Sequence, residues 1–263
     1  MTFMLETTLH WIAVALYIVG AAIFAHAAIF AHPERTRWGC WITLLGLAPH
    51  SIALAQRYFA VGHGPYMLKY EVLSSNAWIA VVMTLLFVWR QPSRALIGVI
   101  ALPASILMVG LGLFTNPAAR DLPPTLRSLW LVFHVLFNKL AVGAFIISAA
   151  AAVMLLLNRG DAAKLEAYTV RFIGFGFVFW TTTIAAGAIW ANQSWGRYWA
   201  WDPIETWSLV TWLAYAMLLH ARLFFRLKVR TTAWGAVACF VLSVLTVLIF
   251  PFLIPSMHSA YFQ

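Results

Sequence analysis

WANQSWGRYWAWDPIETWSLVTWLAYAMLLH, running from Trp190 to His220, decides how the rest of this 263-residue chain is read. Six tryptophans fall between Trp190 and Trp212, three of them in the connection between two long apolar runs. Trp195, Trp199 and Trp201, with Gly196 and Tyr198 among them, lead straight into Asp202, Pro203 and Glu205. Aspartate at the N-cap, proline at the first helical position and glutamate at the third mark a helix start. Tryptophan and tyrosine also collect at membrane–water boundaries, where an amphipathic ring suits the headgroup layer. The cap explains the acids, but a boundary belt does not need six indoles so close together.

Working outward, the composition is that of an integral membrane protein. The chain is 63% hydrophobic and 10% charged, with a mean hydropathy of +0.85, against roughly 25% charged residues in soluble domains. Apolar stretches long enough to span, about 20 residues each, lie near 9–31, 38–60, 73–89, 95–114, 128–157, 170–192, 205–226 and 232–252. The expected fold is therefore all-α and polytopic, with about eight transmembrane helices in a single membrane domain over 1–263. The loop 193–204 is its tryptophan-rich element. The first span lacks a basic leader and a small-residue cleavage site, so it reads as a retained helix.

Basic residues set the expected orientation. One set of alternate loops holds Arg35, Arg37, Arg90, Arg94, Arg159, Lys164, Arg171, Arg222, Arg226, Lys228 and Arg230. The other holds Arg57, Lys69, Arg120, Arg127 and Arg197. The excess puts the first set in the cytoplasm, and both termini and the tryptophan loop outside. The net charge of +9 follows from this bias and from scarce acids, and does not point to nucleic acid. Cys40 and Cys239 are single thiols, and there is no CxxCH motif by which the chain would bind heme covalently itself.

A flat aromatic shelf beside histidines suits a planar apolar macrocycle such as heme, whose iron takes one or two imidazoles. WGRYWAWDPIETWSLVTWLAYAMLLH also resembles the tryptophan-rich WWD signature of the heme-handling membrane proteins of cytochrome c maturation. The form with WDP-x-E-T-W and a following LH resembles the CcsA/ResC-type subunit of the system II cytochrome c synthase. The stretch RYFAVGHGPYMLKYEVLSSNAW is similar to the same family's outer loop, with departures in YEVLSSNAW. The tail motif departs too, reading HSAY where the family has HSY.

The resemblance implies heme b, held without a covalent bond by Trp195, Gly196, Tyr198, Trp199, Trp201, Asp202, Pro203, Glu205 and Trp207. It implies iron ligation outside the membrane by His134 and His258, and within the membrane by His220. His220 lies 15 residues beyond Glu205, about 22 Å along a helix. Its partner is His50, His26, or a histidine of another subunit. The activity implied is heme attachment to the CxxCH thiols of apocytochrome c at the outer face of the cytoplasmic membrane, together with a CcsB/ResB-like subunit. No general base stands out. A heme-bearing, quinol-oxidising electron-transfer subunit, a six-helix delivery protein with a similar motif, and a non-catalytic relative of the synthase are the rival readings.

Several residues have plainer readings. His10 and His26 sit at opposite ends of the first span, where a histidine serves as a polar boundary residue. Lys139 can snorkel out of its span. Gly110 and Gly112 permit close helix contact.

Overall fold

The computed structural model describes residues 2–30, 32–90, 94–118 and 121–257. Among them there is no β-strand. Seven helices are long and apolar enough to cross a membrane, and the chain is an all-α, multi-pass membrane protein. The described residues divide into two compact units, 1–122 and 123–263.

The first unit contains α1 (Thr2–Ile29), α2 (Pro33–Val61), α3 (Lys69–Trp89) and α4 (Ala95–Leu113). Here α1 packs against α2 and α4, and α3 against α4 and α2. Small residues allow the close approach. The fully buried ring of Phe24 lies against Gly39 and Gly98, and a Cβ at Gly39 would stand 2.7 Å from it. A Cβ at Gly112 would meet Leu73 at 3.4 Å, whereas Gly110 faces no atom within 4 Å. Only the first of this glycine pair therefore fails to serve a helix contact. α2 ends at Gly62, whose φ of 74° closes the helix through a bond from its N–H to the Tyr58 carbonyl, a conformation glycine adopts without strain.

The second unit contains a short 3₁₀ turn (Pro124–Leu126), α5 (Leu129–Leu156), α6 (Ala162–Trp195), α7 (Pro203–Leu223) and α8 (Val229–Val244). α8 continues through a π-helical turn, Leu245–Ile249, into α9 (Phe250–Leu253). The seven spanning helices include α5, α6 and α8 with its π turn; α7 is long enough but has no sufficiently apolar window. The buried alanines 149–152 of α5 let α6 and α8 pack closely on it. Phe145 of α5 stacks on Tyr215 of α7 at 3.9 Å and 6°. Lys139, expected to snorkel, is only 5% exposed and sits inside this unit.

Candidate functional site

The tryptophan connection is built by two caps. α6 runs through Trp195 and stops at Gly196, whose φ of 74° directs its N–H back to the Asn192 carbonyl. α7 starts with the expected cap: the Asp202 side chain accepts the Ile204 N–H at 2.9 Å. Reciprocally, Glu205 Oε2 accepts the backbone N–H groups of Asp202 at 3.2 Å and Ala200 at 2.8 Å. Asp202 is 6% exposed, and its second oxygen accepts the N–H of Met257 at 2.8 Å. One carboxylate therefore joins the start of α7 to the C-terminal tail. Arg197 adds a contact to Met257 Sδ at 3.2 Å. Asp202 and Glu205 thus spend oxygens on backbone donors, and Pro203 occupies the first helical position.

Between these caps two rings are presented outward, while Trp199 is half-buried. Tyr198 and Trp201 are exposed, and Trp201 has a φ of 57°, a region where a bulky side chain is strained. Trp199 meets Trp201 edge to face at 5.8 Å, and Trp195 meets Trp190 similarly at 4.9 Å. Trp207, one turn into α7, packs on Phe250 at 4.4 Å.

His134, in the second turn of α5, belongs to the same end of this unit. Three bonds hold the helix ends together: Trp190 Nε1 and Ser194 Oγ both donate to the Thr125 carbonyl, at 2.8 and 3.0 Å, and Ser128 donates to Gln193 at 2.7 Å. His134 Nδ1 lies 2.8 Å from the Thr183 carbonyl of α6. A carbonyl only accepts, so Nδ1 carries the proton and Nε2 carries the lone pair. This backbone bond is the usual way a protein orients a metal-binding imidazole. The ring lies nearly parallel to Trp190, centroids 6.2 Å apart, and over Gly187, where a Cβ would stand 2.5 Å from Nδ1. His258 lies outside the described residues; its neighbour Met257 is the residue tethered by Asp202.

His220 sits in the last turn of α7 with its ring exposed. It stacks on Phe224 at 4.5 Å and meets Phe225 edge-on at 5.4 Å. Arg222, two positions on, pairs with Glu166 of α6 through Nε at 2.6 Å and through a second nitrogen.

The two histidines considered as partners of His220 lie in the first unit. His50 is fully buried, with Nδ1 3.0 Å from the Tyr17 hydroxyl and Nε2 3.0 Å from Ser74 Oγ. His26 is near the end of α1, where the Arg35 guanidinium approaches its Nε2 at 2.9 Å. His10, read as a boundary residue, is instead 1% exposed and bonded to Ser74.

Sequence reasoning missed Thr125, Thr183, Gly187, Gln193 and Met257. Most act through backbone atoms or through having no side chain, which leaves no motif to read.

Residues 66–258 match the model of a family described as cytochrome C assembly protein. The chain is 35% identical over 189 residues to the cytochrome c biogenesis protein CcsA of Chlamydomonas reinhardtii, covering 65% of this chain and 54% of the relative. It is 32% identical over 215 residues to the CcsA of Guillardia theta, covering 69% and 71% respectively. The chain thus spans about half the length (54%) of the algal relative named first. In fold it is similar to a solved cytochrome c heme lyase, CcmF, with a TM-score of 0.75 at 18% identity, over 100% of this chain and 49% of that one. The chain belongs to the cytochrome c assembly protein family.

Proposed function

We propose that the chain serves cytochrome c biogenesis as a heme lyase subunit, receiving heme b and presenting it to apocytochrome c. The observation that carries this reading is the orientation of His134. Its Nδ1–H is fixed on the Thr183 carbonyl, beside Trp190 and at the end of the unit that carries the tryptophan connection and the tethered tail. In this reading His134 Nε2 and His258 bind the iron axially, and Trp195, Tyr198, Trp199, Trp201 and Trp207 support the ring. Gly196, Asp202, Pro203 and Glu205 hold the connection in shape. The distribution of lysine and arginine supports a heme site on the extracytoplasmic face of the cytoplasmic membrane.

Heme is the substrate here, and its two vinyl groups are the reacting carbons. Each CxxCH sulfur adds to one vinyl group, and the thiol proton ends on the neighbouring vinyl carbon. The work of this chain is positioning: two imidazoles and a set of rings fix the plane and leave the vinyl edge open to the thiols. One of the two histidines gives way to the histidine of the CxxCH motif.

His220, exposed beside Phe224 and Phe225, is assigned to heme within the membrane. Both ring nitrogens of His50 are committed to Tyr17 and Ser74, and His26 to Arg35. The second ligand is therefore assigned to a CcsB/ResB-like partner.

The test is co-production of this chain and such a partner with an apocytochrome c in a host lacking its own synthase. Covalent heme on the wild-type cytochrome, lost with His134→Ala, is expected. Unchanged attachment without this chain contradicts the proposal.

A further inference from the structure

The first unit contains a buried line of polar groups that heme handling at the tryptophan connection does not use. Tyr17, His50, Ser74, His10, Tyr70 and Glu6 come from α1, α2 and α3, and each is at most 5% exposed. Their links are short and continuous. Tyr17 Oη lies 3.0 Å from His50 Nδ1, His50 Nε2 lies 3.0 Å from Ser74 Oγ, and Ser74 Oγ lies 2.8 Å from His10 Nε2. His10 Nδ1 lies 3.1 Å from Tyr70 Oη, and the Tyr70 hydroxyl lies beside the buried Glu6 carboxylate, whose Oε1 has no other partner among the described residues.

The direction of every bond follows from one fixed point. His10 Nδ1 also lies 2.9 Å from the Glu6 backbone carbonyl, which accepts only, so Nδ1 carries the proton. With a neutral ring, His10 Nε2 then accepts from the Ser74 hydroxyl. Ser74 Oγ has no second proton and must accept from His50 Nε2–H. His50 Nδ1 in turn accepts from Tyr17, and Tyr70 donates to Glu6 while accepting from His10. The two histidines are thereby held in opposite tautomers, and every donor in the line points toward Glu6.

A line in which each group both donates and accepts can pass a proton. We propose that it is a proton relay, reaching from Glu6 near one end of α1 to Tyr17, 11 residues on, about 16 Å along the helix. In one concerted shift Tyr17 gives its proton to His50 Nδ1 and His50 Nε2 gives its own to Ser74. Ser74 passes one to His10 Nε2, His10 Nδ1 passes one to Tyr70, and Tyr70 passes one to Glu6. Tyr17 has lost one proton, Glu6 has gained one, and both tautomers are reversed. No other atom or electron is exchanged.

The shift carries one negative charge inward from Glu6 to Tyr17, and the reverse shift returns it. Arg57 stands at the Glu6 end, bonded to Glu71 at 2.9 Å and lying 5.6 Å from the Tyr70 ring. The relay is confined to the first unit and is independent of the heme proposal, whose residues it does not use.

The test is side-chain NMR on the full chain, labelled with ¹⁵N-histidine and held in lipid nanodiscs. His10→Gln and His50→Gln spectra supply the assignments. The expected result is His10 protonated at Nδ1 and His50 at Nε2. On transfer to D2O, Ser74→Ala should slow exchange of the His50 N–H by about tenfold or more relative to the α2 backbone amides, leaving His10 near wild type. Ser74→Thr keeps a hydroxyl and should restore the rate. Tyr70→Phe, which preserves the ring, should slow both histidines and serves if Ser74→Ala fails to fold. Matching tautomers, or a His50 rate that follows the backbone amides in every variant, would overturn the relay.

Discussion

Asp202 reaches across 55 residues of sequence to hold the backbone N–H of Met257 at 2.8 Å, while its other oxygen caps α7 through Ile204. The acid that a sequence reader assigns to a helix start is also what fastens the tail. Removing it should loosen both. Losing such a cap costs about 1 kcal/mol, and the bond to Met257 adds about another. Asp202→Ala should therefore lower the unfolding midpoint and accelerate proteolytic trimming of the tail. Mass spectrometry of a protease time course checks this; wild-type trimming would mean that Asp202 does not secure the tail.

Gly187 makes room for His134. Alanine there would push its Cβ to 2.5 Å from Nδ1, so the imidazole must leave the Thr183 carbonyl. Gly187→Ala is expected to keep the fold and to lose much of any heme signal that depends on His134. Thr183→Ala should change little, because the bond is to the backbone. Absorbance spectra of the two variants decide the point.

Arg222 and Glu166 join the ends of α7 and α6 close to His220, with side chains 27% and 17% exposed. Arginine contacts one carboxylate oxygen through two nitrogens, a geometry lysine does not reproduce. Arg222→Lys should cost about 1 kcal/mol, and Arg222→Ala somewhat more, after allowing for partial solvent screening. Denaturation followed by circular dichroism measures both. Equal stability of the lysine variant and wild type would remove the argument from geometry.

Asp161 caps α6 through the N–H groups of Ala163 and Lys164. The backbone bond from Lys164 is the main reason its carboxyl is held below the ordinary value of 3.8. A carboxylate depressed on folding contributes stability above its unfolded pKa and loses it as pH falls through the lower, folded one. Asp161→Asn keeps a capping oxygen, so it should remove that part of the acid dependence and lower neutral-pH stability only by what the charge contributes. Melting curves between neutral pH and about pH 3 test this against an unfolded aspartate pKa near 3.9.

The helical, multi-pass class was legible because long apolar runs have few alternative uses. The start of α7 was legible because Asp202, Pro203 and Glu205 are local, and a cap needs only local residues. The tether to Met257 was not, because any residue except proline offers the same N–H. Thr183 and Gly187 were hidden for the same reason: one contributes a carbonyl, the other an absent side chain. His10 was misread by position. α1 starts at Thr2, which places His10 inside the helix on the face shared with α2 and α3. Counting apolar residues conceals such a polar line, since Glu6, His10 and Tyr17 are sparse in a span that is otherwise apolar.

The most direct measurement is the absorbance spectrum of the purified chain with its partner subunit, for wild type, His134→Ala and His258→Ala, each with and without added imidazole. The heme proposal predicts a bis-histidine spectrum in wild type, weakened in both variants and restored by imidazole in each. A wild-type spectrum that persists unchanged in both variants, or a preparation that takes up no heme, would contradict it.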